Sequence, residues 1–299
     1  MPEVSEGVVT KGVGGVYTVK APDGIRLCQI RGNIRLSGLK PLVGDKVLTS
    51  PSGDPDYPYV VEKILPRKNF LVRPPLANLD NLFLMFACSE PSPDLKLLDK
   101  LLIICGKLGI TPFIIFSKRD LDSIACDELV RIYSSAGFEC MSFCRDEDFD
   151  EDFFKEKTSG KITGFAGPSG VGKSTICSIL LGTDIKTGDI SDKLKRGKHT
   201  TRHAELFEYR DGFITDTPGF TSLDLFDLGV EYNEVQGGYP EIMNAGRLCR
   251  FDDCRHIAER ECNVRALLGD TIDEGRYGRY KEFYEYLYQR RPNSAGGYK

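Results

Sequence analysis

No run of apolar residues in this sequence reaches the length that a membrane-spanning helix needs. The opening residues, Met-Pro-Glu-Val-Ser-Glu, lack both the basic region and the apolar core that an export signal would carry. An excess of positive charge is also missing, since 40 lysines and arginines face 44 aspartates and glutamates. The first two absences predict a cytoplasmic protein with no membrane contact. The third excludes a globally basic nucleic-acid binder, so any contact with RNA would have to be local.

Cysteine, by contrast, is plentiful, with ten residues in 299. Without an export signal a disulfide scaffold is not expected, and most of the ten are predicted to be buried or incidental thiols. Cys249, Cys254 and Cys262 differ, because they lie close together with His256 among them. The pattern Cys-x4-Cys-x-His-x5-Cys offers three thiolates and an imidazole, which suit a closed tetrahedral Zn²⁺ site. One structural zinc is therefore predicted; unrelated cysteines or a disulfide are the alternatives.

The sequence pattern changes twice along the chain. Residues 1–69 contain short strands broken by glycine-rich turns, which predict a five-stranded barrel of the OB type, with an SH3-like barrel as the alternative. Residues 70–230 alternate strands with helices and predict a doubly wound α/β domain, in which the acidic run 146–156 would be a solvated connector. Residues 231–299 are less apolar. They predict a small helical module that ends in a helix over 276–291.

Within the central domain, continuous apolar runs predict strands that are buried on both faces, as in a parallel sheet. Stretches in which apolar residues recur at helical spacing lie between them. The predicted strands cover 82–87, 112–116, 162–166 and 213–215, and the predicted helices cover 94–108 and 126–136.

A phosphate-binding loop follows the strand over 162–166. Its sequence matches G-x-x-x-x-G-K-[ST] and lies between a strand and a helix, which is the context that the motif requires. Its glycines allow backbone N–H groups to turn toward phosphates at the positive end of the helix. Lys173 would reach the β- and γ-phosphates, and the Ser174 hydroxyl would bind Mg²⁺. The predicted nucleotide-binding residues are Gly167, Pro168, Ser169, Gly170, Val171, Gly172, Lys173, Ser174 and Thr175.

A second motif indicates which base is bound. Ser117-Lys118-Arg119-Asp120 directly follows the strand over 112–116 and is similar to the Asn-Lys-x-Asp guanine motif of GTPases. The Asp120 carboxylate could accept hydrogen bonds from both N1–H and the exocyclic amine of guanine, a donor pair that adenine lacks. Lys118 would lie along the base and ribose. All four residues are predicted to bind nucleotide, and a P-loop kinase or ATPase is the alternative.

The predicted switch segments complete this set. Asp216-Thr217-Pro218-Gly219 ends the strand over 213–215, so Asp216 would meet Mg²⁺ through water and the Gly219 N–H would sense the γ-phosphate. The first switch is expected over 197–203, where Thr201 would complete the Mg²⁺ shell, with Thr200 as the alternative. Lys173, Thr201, Asp216 and Gly219 are therefore the predicted catalytic residues.

Phe220 stands where Ras-like enzymes carry a glutamine that orients the attacking water. An aromatic hydrocarbon ring cannot do so by hydrogen bonding. The water would then be placed by backbone groups, by the first switch or by a partner, with His199 and His203 as further candidates. Slow turnover by the isolated protein is the expected consequence.

The order of the motifs is unusual, because the guanine motif (117–120) precedes the phosphate loop (167–175). Ordinary GTPases place it last. Both segments can still line one pocket, because domain termini lie at the surface and are often close together, so reconnecting them preserves a fold. The sequence predicts a circularly permuted GTPase domain, in which nucleotide state could act mechanically on the module over 231–299.

These residues together resemble the RsgA/YjeQ family of ribosome small-subunit-dependent GTPases over nearly the whole chain. The resemblance implies GTP or GDP, Mg²⁺ and one structural Zn²⁺ as cofactors. It also implies binding to the small ribosomal subunit and its rRNA late in assembly, with hydrolysis stimulated by the subunit; a monomer is expected. An RNA-binding assembly factor that holds GTP chiefly for structure is the alternative. The sequence departs from the family at Ser117, where asparagine is usual, and at Ser142-Phe143, where a serine-alanine motif is reduced.

Overall fold

The structure is a computed structural model in which the chain divides into two compact units. The described residues are 4–32, 34, 38–71, 74–144, 149–182, 204–216 and 222–291. The first unit comprises Met1–Leu82, Asp150–Ala166 and Gly172–Phe220, and the second comprises Phe83–Phe149, Gly167–Val171 and Thr221–Lys299. Among the described residues, no helix has the length and apolarity needed to traverse a membrane. The domain limits predicted at 69/70 and 230/231 stay predictions.

The secondary structure elements are numbered here in chain order. The strands are β1 (Ser5–Val13), β2 (Val16–Ala21), β3 (Gly24–Ile30), β4 (Lys46–Pro51), β5 (Tyr59–Ile64), β6 (Phe70–Leu71), β7 (Leu76–Ala77), β8 (Asn81–Ala87), β9 (Thr111–Ser117), β10 (Glu139–Phe143), β11 (Ile162–Ala166), β12 (Phe207–Tyr209) and β13 (Gly212–Asp216). The helices are α1 (Leu95–Leu108), α2 (Ser123–Ser135), α3 (Glu151–Thr158), α4 (Lys173–Leu180), α5 (Pro240–Gly246), α6 (Asn263–Ala266) and α7 (Glu274–Arg290), with a 3₁₀ helix at Tyr232–Gly238.

In the first unit, five strands form a closed barrel in the order β1-β2-β3-β5-β4. Its ladders are antiparallel except for β3 with β5, and β4 pairs back onto β1. Alternate residues face inward because side chains on a strand point to opposite faces in turn. Val9, Val19, Val47 and Val61 are fully buried in this way. The predicted five-stranded OB-type barrel is confirmed.

The remaining strands include two parallel pairs, β9 with β10 in the second unit and β11 with β13 in the first. In the second unit β9 lies between β8 and β10, and β10 runs parallel to β9 with Phe143 opposite Ser117. In the first unit β13 lies between β11 and β12, and β11 runs parallel to β13 with Phe165 opposite Asp216. All residues of β8 and β11 are buried, as their continuous apolar sequences predicted.

Aspartate side chains cap the N-termini of four described helices, α1, α2, α3 and α7. Asp94 accepts a hydrogen bond from the Leu97 N–H at the start of α1. Asp122 does the same for α2, which therefore begins three residues before the predicted 126. The prediction of a solvated connector over 146–156 was wrong for its second half. Asp150 caps α3, and that helix forms because Phe154 supplies a fully buried side chain.

The predicted helix over 276–291 corresponds to α7, which begins two residues earlier at an Asp273 cap. Its apolar stripe is buried in the second unit, as predicted. The buried members are Tyr277, Tyr280, Phe283, Tyr284 and Leu287.

Candidate functional site

The guanine motif begins at the buried last residue of β9. The Ser117 hydroxyl donates a hydrogen bond to the Val171 carbonyl at 2.7 Å, and the Ser117 carbonyl accepts one from the Cys88 N–H at 3.0 Å. Val171 belongs to the phosphate loop, so the motif and the loop are tied directly together in the second unit. Serine thus supplies this tie with one hydroxyl, in the place where an asparagine amide is usual.

The next residue of the motif has an unusual backbone conformation. Lys118 has a φ of 61°, which lies in the left-handed region. This conformation is energetically unfavourable for a residue that has a Cβ atom. Its ammonium donates to the Glu90 carbonyl, which fastens the side chain to the loop after β8. Strained residues of this kind persist where the surrounding structure fixes them, and they cluster at ligand sites.

The last two residues of the motif face different partners. Arg119 forms an ion pair with Asp127 of α2 at 3.2 Å, so its guanidinium is directed along that helix. Asp120, the predicted base-reading carboxylate, accepts a hydrogen bond from the Cys144 thiol at 3.3 Å. Sequence reasoning did not assign Cys144. The signal that could have found it is its position immediately after β10, the strand beside β9.

The phosphate loop contains one position that only glycine can fill and two that favour glycine. Gly167 has φ of 149°, and a Cβ atom there would lie 2.0 Å from the Met85 carbonyl oxygen. Gly170 and Gly172 have φ of 81° and 98°, in the left-handed region. Helix α4 begins at Lys173, with Gly172 as its N-cap. The loop therefore leads into a helix N-terminus, which favours bound anions.

Lys173 and Asp216 interact electrostatically within the first unit. Burial lowers the pKa of the Lys173 amine, and the carboxylate of Asp216 opposes that shift. Asp216 is the last residue of β13, opposite Phe165 in β11, the strand that leads to the phosphate loop. The Ser174 hydroxyl and the Asp216 carboxylate offer the hard oxygen donors that Mg²⁺ prefers, so the residues present fit this ion.

Several predicted residues lie outside the described part of the chain. They are Thr200 and Thr201 of the first switch, Gly219 and Phe220 of the second, and His199 and His203. The catalytic assignments of Thr201 and Gly219 therefore stay predictions.

The four predicted zinc ligands come together in the second unit. The ligand atoms of Cys249, Cys254, His256 and Cys262 all lie within 4.8 Å of one another. His256 Nδ1 lies 3.5 Å from the Cys249 sulfur and 3.4 Å from the Cys262 sulfur, and those two sulfurs are 3.9 Å apart. Zn–S bonds of about 2.3 Å imply edges of roughly 3.8 Å in a tetrahedron. Three thiols and one imidazole at this spacing fit a structural Zn²⁺ ion.

Neighbouring groups hold the backbone that carries this cluster. The Glu259 carboxylate accepts hydrogen bonds from three backbone N–H groups of the loop, those of Arg255, Ile257 and Ala258. The Tyr277 hydroxyl of α7 donates to the His256 carbonyl at 2.7 Å. Burial lowers the pKa of His256, which favours the neutral imidazole that binds metals. Sequence reasoning missed Glu259, because a carboxylate that caps backbone groups has no distinctive spacing.

Known proteins resemble this chain in sequence and in structure. The family model described as RsgA GTPase matches residues 64–226, and the RsgA N-terminal domain matches residues 6–55. The small ribosomal subunit biogenesis GTPase RsgA of Clostridium novyi (strain NT) is 40% identical over 95% of this chain and 98% of its own length. The protein of the same name from Bacillus anthracis is 39% identical over 96% and 99%.

Two solved structures share the fold. YjeQ from Thermotoga maritima has a TM-score of 0.81 and 31% identity, and the match covers 97% of this chain and all of that one. YloQ, described as a circularly permuted GTPase, has a TM-score of 0.80 and 29% identity, with 97% of both chains covered. These matches confirm the predicted fold class: a permuted P-loop GTPase domain with an N-terminal barrel and a C-terminal zinc-binding module. This chain belongs to the RsgA family of GTPases.

Proposed function

We propose that this protein hydrolyses GTP while it acts in the biogenesis of the small ribosomal subunit. One contact carries the proposal: the Ser117 hydroxyl bonds to the Val171 carbonyl, 54 residues later in the chain. That bond joins a base-reading motif to a phosphate-binding loop in permuted order. The relatives from Clostridium novyi and Bacillus anthracis are both named for small ribosomal subunit biogenesis, which supports the choice of partner.

In this proposal one motif binds the base of the nucleotide and another binds its phosphates. Asp120 accepts the two donors of guanine, and Ser117, Lys118 and Arg119 complete the base side. The loop from Gly167 to Thr175 surrounds the phosphates, with Lys173 at the β- and γ-positions. Ser174 and Asp216 would hold Mg²⁺, which neutralises developing negative charge when bound. Thr201 and Gly219 are the proposed sensors of the γ-phosphate.

The isolated protein should turn over slowly. Phe220 offers no hydrogen bond to the attacking water, so positioning of that water is assigned to backbone groups, to the first switch or to the subunit. The proposed partners are the small ribosomal subunit and its rRNA, met by a cytoplasmic monomer. Cys249, Cys254, His256 and Cys262 would hold one Zn²⁺ ion, which would order the C-terminal module and, with four protein ligands, would have no position left for a reactive water.

A GTPase assay with and without purified small ribosomal subunits tests this proposal. The wild-type protein should hydrolyse GTP faster with subunits, and Lys173→Ala should lower the stimulated rate by about a hundredfold, since it removes a charge that stabilises the transition state. Lys155→Ala, on the exposed side of α3, is the matched control for loss of one lysine.

Equal rates with and without subunits would contradict the proposal. Normal GTP and subunit binding with negligible hydrolysis under both conditions would instead favour the alternative, an RNA-binding factor that holds GTP for structure. Binding of ATP as tightly as GTP would refute the assignment of the base.

A further inference from the structure

One ring nitrogen of His256 faces the sulfur atoms of the predicted zinc ligands. Its Nδ1 atom lies 3.5 Å from the Cys249 sulfur and 3.4 Å from the Cys262 sulfur. Zn–S bonds of about 2.3 Å and Zn–N bonds of about 2.0–2.1 Å imply a nitrogen–sulfur edge of roughly 3.5 Å in a tetrahedron. Both distances match that edge, so Nδ1 is the imidazole atom that is placed to bind the metal.

The backbone of His256 is fixed more firmly than its ring. His256 has a φ of 62°, in the left-handed region, and its carbonyl accepts a hydrogen bond from the Tyr277 hydroxyl at 2.7 Å. The terminal torsion of a histidine is broad, so this backbone alone does not set the orientation of the imidazole. A half-turn of the ring would put a carbon atom, Cδ2, in the place of Nδ1. Something beside the ring must therefore set which atom faces the sulfurs.

Gly246 lies against the Cε1–Nε2 side of this imidazole. It is the last residue of α5, and a Cβ atom there would lie 2.9 Å from both Cε1 and Nε2 of His256. Real Cβ atoms do not approach other atoms so closely, so any larger residue would require the ring to move. The backbone does not explain this glycine, because its φ is outside the left-handed region and glycine is unfavourable within a helix. The missing Cβ atom makes room for the ring.

The effect of a side chain at this position depends on whether metal is bound. Without metal, the imidazole can rotate away from a new Cβ atom. Once Nδ1 is bonded to Zn²⁺ the ring is fixed, and only displacement of the ligand or of the end of α5 relieves the contact. A Cβ atom at position 246 therefore raises the free energy of the metal-bound state more than that of the metal-free state, which weakens metal binding.

We propose that Gly246 is a positioning residue of the metal centre, whose lack of a side chain lets the His256 imidazole present Nδ1 to the ion. The proposal rests on the assignment of Cys249, Cys254, His256 and Cys262 as zinc ligands and deepens it. Groups that orient a metal ligand without touching the metal change metal affinity by about 10–100-fold when they are altered. An effect of this size is expected here.

The test is the Zn²⁺ affinity of the full-length protein, measured by competition with a chromophoric chelator. Gly246→Ala should bind one Zn²⁺ at least about tenfold more weakly than wild type. Gly246→Val should bind it more weakly still, because its larger side chain enters the same space. Gly278→Ala is the matched control. Gly278 also lies within a helix, α7, but a Cβ atom there meets nothing within 4 Å, so the affinity should stay at the wild-type value.

Two measurements separate a displaced ligand from a damaged fold. In the Co²⁺-loaded proteins, the visible absorption of the tetrahedral ion should change in Gly246→Ala and stay as in wild type in Gly278→Ala. In the metal-free proteins, Gly246→Ala should not lower the free energy of unfolding, since alanine favours a helix and the free imidazole can move aside.

A double-mutant cycle tests whether the imidazole is the group that Gly246 accommodates. His256→Cys replaces the ring with a small thiolate, and four cysteines are a common set of structural zinc ligands. In that background, Gly246→Ala should change Zn²⁺ affinity by less than about threefold, because no ring lies beside position 246. An equal loss of affinity in both backgrounds would overturn the proposal.

Wild-type Zn²⁺ affinity in Gly246→Ala would also overturn it. Failure of the premise gives a different result, which Cys254→Ala identifies. If the wild-type protein binds no Zn²⁺, or if Cys254→Ala binds it as tightly as wild type, the four residues are not the ligands. If Cys254→Ala weakens binding strongly but Gly246→Ala does not, the ligand assignment stands and the positioning role of Gly246 falls.

Discussion

The N-terminal barrel and the C-terminal region over 222–291 are stabilised in different ways. The barrel core consists of apolar side chains from alternate strand positions, such as Val9, Val19 and Val47. The C-terminal region instead carries a predicted metal centre and a buried cluster of charges. A closed barrel can bury an apolar interior on its own, whereas a short module with few strands and helices needs directional bonds or a metal ion.

The buried charges of the second unit are centred on Arg276. Its side chain is fully buried and donates to Asp99 at 2.6 Å, to Glu241 at 2.6 Å and to the Gly238 carbonyl at 3.0 Å. Arg279 donates to the other oxygen of Asp99 at 2.5 Å. Two positive and two negative side chains are therefore paired, with Arg276 and Asp99 fully buried and Arg279 partly exposed.

Aromatic rings enclose the same guanidinium. The rings of Tyr133, Phe138 and Tyr239 lie 4.6 to 5.3 Å from it, close enough for cation–π attraction. Burial lowers the pKa of Arg276, but the charges of Asp99 and Glu241 outweigh that effect and leave the pKa raised. Unlike the barrel, this part of the second unit therefore has charged side chains in its core, and each buried charge has a partner of opposite sign.

Removal of zinc should produce the largest difference between the two regions. Structural zinc contributes about 10–16 kcal/mol of binding free energy in small modules, so chelation should unfold the loop that Cys249, Cys254, His256 and Cys262 share. We expect amides over 249–262 to lose hydrogen-exchange protection while amides of β1–β5 keep theirs. Cys254→Ser should reproduce the effect of the chelator, and Cys140→Ser should not. Unchanged exchange in protein shown to be free of metal would contradict a structural role for zinc.

Arg276→Met should have the next largest effect. It leaves Glu241 without its buried cation and Asp99 with Arg279 alone, so the free energy of unfolding should fall by about 3–5 kcal/mol. Urea unfolding followed by tyrosine fluorescence measures this, since the chain has no tryptophan. Arg290→Met, exposed at the end of the same helix, is the control. Equal stability of the two variants would show that the buried charges contribute no more than surface charges do.

Removal of an exposed ion pair on the barrel should have the smallest effect on the free energy of unfolding. Lys11 and Glu205 lie 2.9 Å apart, but their side chains are 45% and 38% exposed, so water screens them. Lys11→Met should change the free energy of unfolding by less than about 1 kcal/mol. The same urea titration measures it, and the double variant with Glu205→Gln isolates the pair. A loss as large as that of Arg276→Met would mean that burial does not decide the strength of ion pairs in this protein.

Much of the fold and part of the site could be predicted from the sequence. The strands β8, β9 and β11, the helices α1 and α7 and the four-residue metal cluster follow from local periodicity and spacing. Helix α3 could not, because five of its eight residues are charged and the only fully buried apolar side chain among the others is that of Phe154. Tertiary packing overrode the local pattern there.

The local sequence is enough to predict the chemistry of this protein: a phosphate loop, a carboxylate proposed to read the base and a set of potential metal ligands, each encoded within a few neighbouring residues. Which distant groups form hydrogen bonds with one another is known only from the tertiary structure. Arg276 pairs with Asp99 across 177 residues, Ser117 reaches Val171 across 54, and Cys144 reaches Asp120 across 24. Such pairs depend on strand order, register and helix packing, which arise only when the whole chain buries its apolar surface together.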